Sequence, residues 1–452
     1  MRLQVIVGAL LLAGCGSLDV PDLNGPGLDD LEDNPTRAKL AAAATGLLMG
    51  ARVRVETPAG LVSLLGILGR ESYNLDPGDE RWVTELLIGP LNGRSFGGRL
   101  WFEQYYNLRS AKIVLSVLDR VPGLTVEERE ATRGFTRTIQ ALELLDAINT
   151  RDVLGAPLDV NDDPRDPPPP IGSKADVFAH IVALLDSGQA NLQAGGSAFP
   201  FPLSTGFAGF DTPGSFVKFN RALRARVAAY TSDFAGTLHA LAESFLDPAQ
   251  PLALGVYHSY GTGQSDRANQ LYDPTGRTLL AHPSLETDAQ LRDDGSKDLR
   301  FQTKLTRVDP RTLQGITSDL GFTIYGSPSA PIPIIRNEEL ILLRAEANIG
   351  LGRLSEAVAD LNFIRISSGG LPTYSGPLTA EGLIDELLYN RRYSLLWEGG
   401  HRWIDLRRYG KLGTLPLDLP NHRRFERMPF PEGECAARSP PPAAGCTPEF
   451  GF

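Results

Sequence analysis

The stretch Arg336-Asn-Glu-Glu-Leu-Ile-Leu-Leu-Arg-Ala-Glu-Ala-Asn-Ile-Gly-Leu-Gly-Arg-Leu-Ser-Glu-Ala-Val-Ala-Asp-Leu-Asn-Phe-Ile-Arg365 reads as two helices and a turn. Apolar residues recur at helical spacing on both sides of Gly350 and Gly352, and glycine just past the last periodic residue stops a helix. The spacing predicts helices over Glu338–Ile349 and Leu354–Arg365. Ala345, Ala347, Ala357 and Ala359 are small residues where a partner helix must approach. The same grammar occurs earlier: Ala222-Leu-Arg-Ala-Arg-Val-Ala-Ala229, a turn around Asp233, then Phe234-Ala-Gly-Thr-Leu-His-Ala-Leu241. Helices over Asn220–Ala229 and Ala235–Leu246 follow. This is the style of a tetratricopeptide helix hairpin.

Working outward, segment 99–120 carries Leu100, Trp101, Tyr105, Leu108, Ile113, Leu115 and Leu118 close to helical spacing. Thr125-Val-Glu-Glu128 is a capping box that opens a helix to about Asn149. Ser173-Lys-Ala-Asp176 opens another, to about Leu192, and Thr379 to Trp397 forms a last long helix. Residues 151–172, 194–215 and 251–335 are rich in Gly, Pro, Asp, Ser or aromatics and read as irregular, with short strand-like runs such as Phe322-Thr-Ile-Tyr325. The expected fold is mainly all-α: tetratricopeptide-like hairpins form a right-handed scaffold, beside a loop-rich subdomain. Domains are expected at 1–14 (export signal), 15–35 (tether), 36–250 (first helical region), 251–335 (loop-rich insertion) and 336–452 (second helical region and tail).

The first fifteen residues combine Arg2, an apolar run from Leu3 to Leu12 and Leu12-Ala13-Gly14-Cys15. That is a bacterial lipobox. The run is far shorter than the roughly 20 residues of a spanning helix, so it reads as a cleaved export signal that leaves Cys15 lipidated at the new N-terminus. Gly16 and Ser17 follow, in place of the Asp of inner-membrane retention, which points to the outer membrane. The segment Ser17 to Asn34 reads as an acidic tether. Cys435 and Cys446 are the other two of three cysteines. An exported chain sits where disulfides persist, so they are expected to pair.

The chain has 452 residues, 42% of them hydrophobic, and a net charge of −10, which disfavours a nucleic-acid partner. Chemistry-bearing patterns are few. Asp159-Val-Asn-Asp162-Asp163 begins with the spacing of a calcium loop, but Pro164 stands where Gly is required and Pro170 where the closing Glu belongs. The six histidines show no zinc-site spacing, and no GxSxG motif occurs. Arg391, Arg392, Glu398, Arg402 and Asp405 alternate in sign around Trp397 and Trp403. They read as a partly buried ion-pair network rather than a catalytic cluster. No catalytic residue, metal site or cofactor is expected.

The block from Arg336 to Arg365, followed by Asn390-Arg-Arg-Tyr-Ser-Leu-Leu-Trp-Glu-Gly-Gly-His-Arg-Trp-Ile-Asp-Leu-Arg-Arg408, resembles the C-terminal region of the SusD/RagB family. Earlier pieces fit in order: Trp101 to Leu115, Thr138 to Pro157, Phe219 to Arg226, and the closing Met428-Pro-Phe-Pro431. Asn390 and Ser394 depart from the family's usual Glu, and Gly399-Gly400 is one residue longer. The resemblance implies an outer-membrane lipoprotein, exposed at the cell surface. It would bind an oligosaccharide, or a peptide, and deliver it to a SusC-type TonB-dependent transporter. It also implies a ligand site between an early loop and the long insertion. The residues singled out there are Tyr73, Arg81, Trp82 and Asn92 in the first region and Tyr257, Tyr260, Tyr272 and Tyr325 in the second. Flat rings hold sugars by stacking on their C–H faces, and Trp82 is the first choice as an exposed ring. Two other readings stand beside this one: a lipoprotein scaffold that holds proteins with its hairpins, and a glycan-degrading enzyme.

Overall fold

A computed structural model describes residues 28–163, 165–264 and 266–452. The export signal, Cys15 and Pro164 lie outside the described residues, as does the tether before residue 28.

The helical body is a row of antiparallel neighbours. Its members are α1 (Arg37–Ala51), α2 (Leu61–Leu68), α3 (Phe102–Val117), α4 (Val126–Arg151), α5 (Lys174–Gln193), α6 (Pro213–Tyr230), α7 (Phe234–Ala242), α8 (Asn337–Gly350), α9 (Leu354–Ser367), α10 (Ala380–Ser394) and α11 (His401–Arg408). α1 packs on α3, α3 on α4, α4 on α5, and so on through the α6/α7 and α8/α9 hairpins, while α10 closes on α8 and α9. This is the tetratricopeptide-like, mainly α-helical architecture that the hairpin grammar predicts.

Local chemistry explains the boundaries. Thr125 and Ser173 both form the expected capping boxes. A third box, Thr212 with Ser215 and with Pro213 at the first helical position, starts α6 seven residues ahead of the expected Asn220. Proline suits that position because its missing N–H would be unpaired anyway. α10 ends at Ser394, short of Trp397, because Trp397 turns left-handed at φ 63°. Close helix approach rests on small residues: a Cβ on Gly134 would sit 2.5 Å from Leu192 and 2.7 Å from the Gly188 carbonyl, so α4 and α5 meet backbone to backbone.

Residues 251–335 are more ordered than their composition suggests. β4 (Leu305–Leu313) and β5 (Ile316–Phe322) form a hairpin through Gln314 and Gly315, both at positive φ. That is the two-residue turn that matches strand twist. With β1 (Ser72–Asn74) and β3 (Leu279–Ala281) they make an antiparallel sheet of order β1-β3-β5-β4. A separate ribbon pairs β2 (Gly255–His258) with β6 (Ile332–Arg336). Its register shifts after Val256↔Ile335 to Tyr257↔Pro333, leaving Ile334 as the extra residue of a bulge.

The cluster of alternating charge is an ion-pair network, as expected, but with partners from distant segments. Arg391 Nε donates to Asp405 at 2.6 Å, and Asp405 also accepts from Arg408 at 3.0 Å. Glu398 accepts from Arg336, the last residue of β6, at 2.8 Å through both oxygens. Arg392 pairs with Asp288 at 2.7 Å, whereas Arg402 donates to the Arg70 carbonyl at 3.0 Å. Trp397 and Trp403 are fully buried among them. Cys435 and Cys446 are bonded, with Cα atoms 5.7 Å apart.

Two predictions follow from the buried pairs. Asp405→Asn leaves the Arg391 guanidinium buried without its carboxylate, so chemical unfolding should register a loss of about 3–5 kcal/mol. The second concerns acid. Burial raises the carboxyls of Glu338 and Glu339, but Arg336 and Arg226 override it and hold each at about 2. An unfolded glutamate titrates near about 4.3. The stabilisation is therefore present above that value and is lost as pH falls from about 4.5 toward about 2. Melting curves should show the gap between wild type and Glu339→Gln shrinking across that window; a constant gap would refute the linkage.

Candidate functional site

A cavity of about 530 Å³ opens where α1, α4 and the β2/β6 ribbon meet. That is within the ~300–1,000 Å³ range of small-molecule sites. Its buried walls are aliphatic: Leu48 from α1, Ile139 and Leu142 from α4, and the bulged Ile334, with the exposed Met49 at the mouth. Polar groups gather at the rim, from Ser204, Thr205, Tyr257, Ser259 and Asp266. Arg52 is only 7% exposed yet lines this cavity. Its guanidinium donates to the Ser259 carbonyl, pairs with Asp266 at 2.5 Å and lies 5.6 Å from the Tyr260 ring centre, while its Nε has no partner among the described residues.

A second, smaller chamber of about 40 Å³ lies deeper. Leu142, His258 and Ile334 belong to both walls and form the neck between the two. The inner walls carry Asp146, Asn149, Arg226, Tyr230, Glu398 and His401. Burial shapes their charge. It lifts the Asp146 carboxyl to about 7, with Arg226 pulling the other way. It drops His258 to about 3, helped by Arg52, and His401 to about 4. Both imidazoles are therefore neutral at pH 7.

The eight residues expected to hold a ligand are not brought together. Tyr257 is half-buried and lines the outer cavity, where its hydroxyl donates to the Ala253 carbonyl. Tyr260 is buried behind it, beneath Arg52. The rest lie elsewhere. Tyr73 is buried in β1, with its ring 4.8 Å from His282. Trp82 is not the exposed ring it was expected to be: it is 6% exposed and stacks on Phe96 at 4.2 Å. The short helix that carries it turns the indole into the core, because Arg81, the residue before, takes the solvent side and pairs with Asp79 at 2.6 Å. Asn92 lines a cleft of about 320 Å³ beside the disulfide, and its side chain accepts from the Arg94 N–H at 2.9 Å. Tyr272 is half-buried in a turn. Tyr325 is buried and donates to the Trp397 carbonyl at 2.6 Å.

The residues that do build the cavities went unremarked in the sequence: Arg52, Ile139, Leu142, Asp146, Arg226, His258, Ile334 and His401. One signal was available. Ile139, Leu142, Asp146 and Asn149 share one helix face, and an acid on an otherwise core-facing stripe is unusual.

Residues 313–435 match the family model described as the SusD family. No curated protein matches the chain in sequence. Among solved structures, a SusD superfamily protein from Bacteroides vulgatus is 16% identical, with 92% of this chain and 99% of that one covered at a TM-score of 0.68. A laminarin-binding SusD-like protein is 17% identical, with the same 92% and 99% covered and a TM-score of 0.64. Bacteroides fragilis NanU is 15% identical, with 94% and 99% covered and a TM-score of 0.67. At these identities the structures show a common fold, and the sequence match falls on the β5-to-tail region that holds the buried ion pairs. Residues 313–435 thus match the SusD family model, and the described chain shares the fold of the SusD proteins.

Proposed function

We propose that the protein captures an oligomeric nutrient, a glycan before a peptide, and passes it to a TonB-dependent outer-membrane transporter of the SusC type. The observation that carries this reading is the family match over residues 313–435 together with an open cavity that has an aliphatic depth and a polar rim. A similar fold belongs to a laminarin-binding protein, which favours a glycan. In this reading Cys15 carries the lipid anchor in the outer membrane, and no helix among the described residues is long and apolar enough to cross a membrane. The role needs binding and release, with no bond broken. Tyr257 is the one of the eight sequence candidates that lines the cavity and is retained as a contact there.

Lipid anchoring is tested by fatty-acid labelling, which Cys15→Ala should abolish while releasing the chain from the membrane fraction. Delivery is tested by mild detergent extraction and pull-down, which should recover a TonB-dependent barrel in near-stoichiometric amount; a lipoprotein that comes out alone under those conditions would favour a scaffold role. Glycan capture is tested by affinity gels cast with laminarin and a set of other polysaccharides. Arg52→Ala should reduce retention, because its guanidinium holds the rim loop. Trp82→Ala should instead cost about 3–5 kcal/mol of stability, as large core truncations do, and leave retention unchanged.

A further inference from the structure

The inner chamber is built to be filled by something polar. Arg226 is 7% exposed, and its Nε and Nη2 serve Glu339 and the Ile334 carbonyl. Its Nη1 has no hydrogen-bond partner among the described residues. The same holds for the carboxylate of Asp146, the hydroxyl of Tyr230 and the imidazoles of His258 and His401, all of which line the chamber. Buried polar groups are almost always paired, and each orphan costs about 1–3 kcal/mol. His401 Nδ1 is such a buried orphan among the described residues, and the other four groups around the same small space offer further partners to a guest.

The size and charge of the space narrow that guest. A volume of about 40 Å³ has room for about three waters, or for an arm of a few heavy atoms, but not for a sugar ring. A carboxylate arm would face Asp146 and Glu398, and an ammonium arm would face Arg226. A neutral hydroxyl suits both sides, since it donates to Asp146 and accepts from Arg226 Nη1.

The chamber also continues the outer cavity. Ile139, Leu142 and Asp146 sit at i, i+3 and i+7 on α4, one face of a helix. They lead from the outer cavity through the neck to the inner chamber over about 10 Å at 1.5 Å per residue. We propose that the two cavities are one site, in which the outer cavity seats a neutral hexose unit against its aliphatic walls and the inner chamber takes that sugar's hydroxymethyl arm. This rests on the glycan-capture reading and deepens it, because it names the chemistry of the bound unit.

The test uses the full chain in detergent with D-glucose, D-galactose and D-mannose, their 6-deoxy counterparts, glucuronic acid and glucosamine as probes. Titration calorimetry should find at least one hexose whose 6-deoxy, acidic and amino relatives bind roughly tenfold or more weakly, the scale of one lost buried hydrogen bond. A crystal soaked with that hexose should show its exocyclic oxygen between Asp146 and Arg226. Asp146→Leu should lose the preference for that hexose while its melting temperature holds, because the half-buried Asp146 carboxylate makes no hydrogen bond to the described residues. Glu243→Gln, on the surface, should change neither. Binding of the 6-deoxy sugar equal to that of its parent, an inner chamber that keeps only water in the soaked crystal, or full affinity in Asp146→Leu would each overturn the proposal. The capture reading is scored separately. Wild-type retention on polysaccharide gels that survives in Asp146→Leu keeps that reading and discards the chamber, whereas a wild type retained by none discards both.

Discussion

Arg336 is the joint on which the functional half of the molecule depends. It is the last residue of β6 and the residue from which α8 starts. Its guanidinium bonds Glu398, on the turn ahead of α11, and Glu338, in the first turn of α8. One side chain thus fixes a strand, a helix and a turn against one another. The consequence reaches the cavities directly. β6 carries Ile334 and pairs with β2, which carries Tyr257 and His258, while the turn at Glu398 leads into His401. Together with the bonds from Arg226 to the Ile334 carbonyl and Glu339, that joint sets the outer wall against the inner.

Such a joint is not a source of stability in itself. Taking charges out of water costs several kcal/mol per ion, and attraction between partners only offsets it when the geometry is good. What buried pairs impose is specificity: a guanidinium with nothing to bond is so costly that competing packings are excluded. Arg300 shows how strictly this is enforced. The positions beside it hold Asn390 and Ser394, both neutral, where the family resemblance leads one to expect Glu. Arg300 still donates to both at 3.0 Å, and its charge is met by Asp298 at 2.6 Å from its own helix entrance. The negative charge has a different address, but the cation remains paired.

The sequence made the scaffold legible and the site mostly not, for a physical reason. Helix hairpins are local: the capping boxes at Thr125 and Ser173 and the turn at Gly352 announce themselves within a few residues. The β4/β5 hairpin was as local, since Gln314-Gly315 between Leu313 and Ile316 is a turn with its own backbone signature, yet the surrounding Gly, Pro and Ser masked it. The sheet β1-β3-β5-β4 joins residues about two hundred positions apart, and no window shows that. Aromatic residues misled for a related reason. A ring in a loop-like stretch is an equally good candidate for stacking on a ligand and for pinning the loop to the core. Trp82 on Phe96 and Tyr325 on the Trp397 carbonyl are pins.

The same accounting explains why the cavity walls are chemically quiet. The large rings and most of the arginines are committed to holding loops and strands in place, so the space they leave is lined by aliphatic side chains and by polar groups at the ends of the network. Arg226 is the clearest instance. Two of its nitrogens are used structurally, on Glu339 and the Ile334 carbonyl, and the residue lines the chamber. A polar group already fixed by two strong bonds loses no further side-chain entropy when it meets a ligand, so the ordering cost of binding was met when the chain folded. The ion-pair joint therefore does more than set the distance between the walls. It presents their polar atoms in one orientation, and that is the property a site needs to select among sugars that differ by a single hydroxyl.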